Sequence, residues 1–170
     1  MKYAVWLLLT YLLLALESPL LGRLDFQFYA PDVALLVALY VASRAPLLPA
    51  LACAFAAGLL KDGFSLAAPL GLFTEINVLV VLAAQLLQRR VDMRSTMPMM
   101  ATAAATSLVA SFLFLLLAAI FDRAFGGSDQ MPTMALPLAL MTMLAAPFLF
   151  ALFDRVGRIG DRRGASSLYR

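Results

Sequence analysis

Four carboxylates stand in otherwise apolar stretches of the chain: Glu17, Asp32, Asp62 and Glu75. A charge among hydrocarbon side chains is costly, so each must be paired, cap a helix or take part in function. Asp32 and Asp62 brought side by side could share a proton and work as the acid and base of an intramembrane aspartyl hydrolase. A row of such acids could instead pass protons or cations. Other chemistry is excluded. The chain has no His, which removes Ser–His and Cys–His nucleophiles, HExxH metal sites and histidine proton relays. Cys53 is the one cysteine, so no intramolecular disulfide can form. No Walker or Rossmann glycine pattern occurs, and no cofactor or metal is expected.

The elements that must position these acids are membrane helices. Of 170 residues 64% are hydrophobic and 14% charged, and the mean hydropathy is +0.92. That is too little charge to clothe a soluble domain. Nor is there the aromatic-interleaved basic surface that nucleic acid requires, so the solvent is the lipid bilayer. The apolar residues fall into six segments: 3–21, 29–43, 46–60, 72–88, 97–121 and 131–153. A spanning helix needs about 20 residues, with a range of roughly 17 to 25. The first segment imitates a signal peptide, but Glu17-Ser18-Pro19 is a poor cleavage site, and a retained first helix is expected. The second and third segments are short, and Arg44, Pro46 and Pro49 between them predict a tight helical hairpin. The expected architecture is an all-α bundle of six transmembrane helices over residues 1–153, with a basic cytoplasmic tail over 154–170.

Counting positive charges orients it. With the N-terminus inside, ten Lys and Arg face the cytoplasm and three face outward, as the positive-inside rule asks. A five-helix rival fuses the second and third segments and counts nearly as well. It buries Arg44 near mid-membrane, at about 2.5–3.5 kcal/mol, and accepts two interior prolines at about 3 kcal/mol each.

In the six-helix arrangement all four acids lie at the outer ends of their helices, in one polar layer. Asp32 follows Pro31 at a helix start, where a carboxylate caps the free N–H groups. Glu75, one turn into its helix, gains from the same dipole, and Glu17 can reach the interface. Asp62 is the anomaly, because a negative charge at a helix C-terminus is disfavoured and needs compensation. Lys61, Arg23, a cap on the next turn or a partner protein could supply it, and docking on a partner's positive group is the favoured role, aided by the apolar loop 63–71 beside it. Close helix packing is expected at Ala50, Ala54 and Gly58, small residues four apart. A second small stripe, Ala103, Ser107 and Ser111, places the first half of its helix on protein. The bulky run 112–117 is left for lipid or a partner. Pro147 is expected to kink the last helix.

Pro31-Asp32-Val33-Ala34-Leu35-Leu36-Val37, Gly58-Leu59-Leu60-Lys61-Asp62-Gly63 and Pro69-Leu70-Gly71-Leu72 together resemble the MreD family. That family is the small membrane subunit of the bacterial rod-shape machinery. Lys61 departs from the more apolar helix end of the family pattern. The resemblance implies a non-enzymatic scaffold in the bacterial inner membrane. It would associate with MreC, a single-pass protein, directly or indirectly with RodA and a class B penicillin-binding protein, and indirectly with MreB filaments. It also implies a fold similar to the substrate-binding subunits of energy-coupling-factor vitamin transporters. Such a subunit is the main alternative function. Its docking motif of paired small residues in the first helix is missing here, where the alanines Ala4 and Ala15 are eleven apart.

Overall fold

Ala45 divides the first hairpin. The ring of Pro46 clashes with a helical conformation at the residue before it, and Ala45 is extended, with φ −120° and ψ 153°. The chain therefore forms two helices here, α2 (Val33–Arg44) and α3 (Leu47–Phe64). The fused helix of the five-helix rival is absent, and Arg44 sits at a helix end. Pro49 falls in the first turn of α3, where its missing N–H would have had no partner. The remaining elements are α1 (Lys2–Leu24), α4 (Leu72–Leu87), α5 (Thr96–Phe121) and α6 (Met131–Ala165).

The computed structural model describes residues 2–24, 30–64, 71–87, 95–121 and 131–165, all helical apart from short joining residues and without a strand. Among the described residues, three helices contain spans long and apolar enough to cross a membrane: Leu47–Phe64, Thr96–Leu117 and Met134–Gly157. The apolar stretches of α1, α2 and α4 are shorter.

At about 1.5 Å per residue, α2 is too short to match the hydrocarbon thickness, and it is the centre of the bundle. Ten consecutive residues, Val33–Ala42, are buried. A helix apolar on every side needs neighbours on every side, and each of the other five packs on α2. On one side Leu36, Leu39 and Val41 share a core with Trp6, Ala50, Ala54, Phe150 and Phe153. On another, Leu35 joins Ile76, Val80 and Phe114. Lipid tails are as apolar as leucine, so in a bilayer this core is held by close packing more than by expulsion of water.

Two expectations change. The segment from Asp154 was expected as a tail apart from the bundle. Instead α6 runs on to Ala165, and Asp154 is tied to α2, as described below. In α5 the division between packed and open residues runs around the helix as well as along it. Ala103, Ser107 and Ser111 are buried, Phe112 and Leu116 face outward, and Phe114 turns back into the core. Pro137 and Pro147 both lie inside α6, where each removes one backbone hydrogen bond.

Candidate functional site

Asp32 caps α2. Its Oδ1 accepts from the backbone N–H of Leu35 at 3.0 Å, satisfying one of the free donors of the first turn. Its Oδ2 pairs with the Lys61 ammonium at 2.6 Å, and its own N–H donates to Thr142 Oγ1 on α6 at 3.1 Å. One residue thus joins α2, α3 and α6. The side chains of this pair are only 21% and 12% exposed. Lys61 Nζ also lies 4.1 Å from the centre of the Phe73 ring, close enough for a cation–π contact.

Asp62 is 2% exposed and turned inward. Its carboxylate accepts from the N–H of Phe73 at 3.0 Å, the N–H of Thr74 at 3.1 Å and the Thr74 hydroxyl. These N–H groups belong to the first turn of α4. Asp62 therefore acts as the N-cap of a helix to which it does not belong. Gly71 explains the need. It sits at the start of α4 with φ +99°, a conformation suited to glycine, and has no side chain with which to cap. Of the compensations open to Asp62, a cap on the next turn is the one these contacts supply, in place of the favoured docking on a partner. The dipole at the C-terminus of α3 is unfavourable, but the N-terminus of α4 supplies the compensating positive end.

Gly58, one turn before Asp62, makes the joint possible. A Cβ there would collide with Thr74 Cα and lie 2.9 Å from the Phe73 carbonyl oxygen. The backbones of α3 and α4 nearly touch, with Ala50 and Ala54 buried along the same helix. Gly58, the aspartate and the glycine of the next helix start form one joint between α3 and α4.

Among the described residues, Asp32, Asp62 and Glu75 are not gathered into one cluster. Asp32 and Asp62 are each held by separate partners, so they do not form the proton-sharing pair of an aspartyl hydrolase. Glu75 is on the first turn of α4 and faces outward. Glu17 lies on α1, and its side chain is outside the described residues, as is Pro69.

At the other end of α2 a second set of ties closes the bundle. Arg44 pairs with Asp154 at 3.0 Å, Tyr40 donates its hydroxyl to the same carboxylate at 2.9 Å, and Gln85 Nε2 donates to the carbonyls of Ala42 and Ala45. The last two satisfy acceptors left free by the end of α2. Sequence reasoning missed Gln85, Asp154 and Thr74. Each is a polar residue in or bordering an apolar run, which is the signal that should have selected it.

The outer face between α4 and α5 differs in kind. An apolar groove of about 600 Å³ runs along Leu79, Ala83, Ala101, Ala105 and Val109. Two threonines line it, yet it presents little polarity. Thr102 Oγ1 donates to the Pro98 carbonyl and Thr106 Oγ1 to the Thr102 carbonyl, both at 2.7 Å. Their hydroxyls are thus spent on their own helix. No family model, curated protein or solved structure matches the chain.

Proposed function

We propose that this chain is a non-enzymatic membrane scaffold of the MreD kind, organising peptidoglycan synthesis and rod shape in the bacterial inner membrane. It crosses the membrane six times with both termini in the cytoplasm. Its partner is an MreC-like single-pass protein, and it acts directly or indirectly on RodA and a class B penicillin-binding protein and, indirectly, on MreB filaments.

The observation that carries this reading is the groove between α4 and α5. Ala83, Ala101 and Ala105 are open to the outside, and small residues are what let a foreign helix backbone come close in lipid. A single apolar helix is the occupant such a surface suits, because an apolar groove offers no hydrogen bonds to a soluble ligand. Further support comes from the resembling residues themselves. Gly58, Asp62 and Gly71 act together in one joint rather than lying scattered.

The test is co-purification of a co-expressed MreC-like partner with wild type and with Ala105→Phe, at matched membrane levels. Recovery should fall several-fold while folded yield is unchanged, since Ala105 touches the groove and not the core. Undiminished recovery would reject the groove as the docking face.

A further inference from the structure

A second, partly open cavity lies between helices beside the Asp32–Lys61 pair. It measures about 160 Å³, and its walls include Lys61 from α3, Ile76 and Asn77 from α4, Ser107 and Phe114 from α5 and Leu138 from α6. Two of these residues carry buried polar atoms that the fold does not satisfy. Asn77 Nδ2 and Ser107 Oγ have no hydrogen-bond partner among the described residues, although the residues are only 3% and 1% exposed. A buried polar group left unsatisfied costs about 1–3 kcal/mol, so two on the walls of one cavity call for an occupant that answers them.

We propose that this cavity binds a small neutral molecule with a hydrogen-bond acceptor on a compact apolar body, such as a ketone, amide or ester. The class follows from the walls. The Asn77 amide N–H2 can only donate and the Ser107 hydroxyl can donate as well as accept, so an acceptor on the ligand answers both. The Lys61 ammonium is already matched by Asp32 at 2.6 Å, so the walls carry no net charge and favour a neutral group over an anion. Ile76, Phe114 and Leu138 supply the apolar enclosure usual in ligand pockets. Size follows from comparison with an engineered cavity of about 150 Å³, which takes a benzene-sized molecule. The site is independent of the groove and of the scaffold reading.

The chain contains three isoleucines, Ile76, Ile120 and Ile159. Ile76 lines the cavity, whereas Ile120 is 63% exposed and reports partition into the surrounding lipid. The full-length protein, labelled at the isoleucine methyls in phosphatidylcholine nanodiscs, is titrated with three probes. These are acetophenone, its hydrocarbon isostere α-methylstyrene, and benzoate. Acetophenone should shift the Ile76 methyl saturably and bind about tenfold tighter than α-methylstyrene, which is the ratio about 1.4 kcal/mol supplies. Ile120 should change linearly with both. Asn77→Leu should bring the two probes to nearly equal affinity. Ser107→Ala, which deletes one oxygen atom, should narrow the gap and serves if the first variant folds poorly. Saturation at Ile76 by neither neutral probe would overturn the proposal and leave water as the partner of both atoms. Equal affinity in the wild type would overturn the acceptor requirement, and tighter binding of benzoate would overturn the neutral class.

Discussion

The two sides of α4 are built on opposite principles. Toward α3, Gly58 brings the backbones together and Asp62 locks them with three hydrogen bonds to Phe73 and Thr74. Toward α5, alanines line an open groove, and the threonines there bond only to their own helix. The first side is fixed by polar ties that a bilayer strengthens, because no water competes for them. The second has small side chains and no tie across to α4 from its threonines. The same small residue type thus serves two ends. With a buried carboxylate beside it, it makes a permanent joint, and without one it leaves a surface.

Substitution at Gly58 should break the comparison most severely. Gly58→Leu puts a side chain where even a Cβ would meet backbone atoms below 3 Å, so α3 and α4 must separate. Folded yield in detergent should collapse, while Ala105→Leu, placing the same side chain in the groove, should leave it unchanged. Next comes Asp62→Ala, which strips the first turn of α4 of its cap and leaves the N–H groups of Phe73 and Thr74 without acceptors. The expected loss is about 2–4 kcal/mol, read as a shift in denaturant midpoint in mixed micelles. Asp62→Asn should cost less, because its amide oxygen can still accept while its N–H2 faces donors.

Lys61→Met removes the partner of the Asp32 carboxylate in a partly buried site. It should cost about 1–3 kcal/mol, most of it the penalty of the uncompensated carboxylate. Arg44→Met at the other end of α2 is the smallest effect. That pair is 45% and 37% exposed, and such pairs contribute about 0–1 kcal/mol. A larger loss at Arg44 than at Lys61 would invert the ranking of the two ends.

Much of this arrangement was legible in the residues. Six helices followed from hydropathy, the break at Ala45 from Pro46 and the close contact from Gly58. The need of Asp62 for compensation is legible, and a cap on the next turn is among the sources the residues leave open, but the residues do not say which source serves. Spacing places a residue on its own helix, whereas the N–H groups that satisfy Asp62 lie on the next helix, across the loop. Lys61 was opaque for the same reason, since Asp32 is 29 positions away in sequence and is adjacent only after α2 and α3 pack. The buried lengths of α2 were hidden because periodicity cannot reveal a helix that is apolar on every face.

The groove between α4 and α5 is tested most directly by proximity. In a Cys53→Ala background, single cysteines are placed at Ala101, at Ala105 and, as control, at Phe148, which is 79% exposed on α6. Each is paired with a cysteine scan along the membrane helix of a co-expressed MreC-like partner. Ala101→Cys and Ala105→Cys should form disulfides at partner positions recurring every three to four residues, as one helical face would, and Phe148→Cys should form none. Disulfides from Phe148→Cys with none from either groove position would contradict the account.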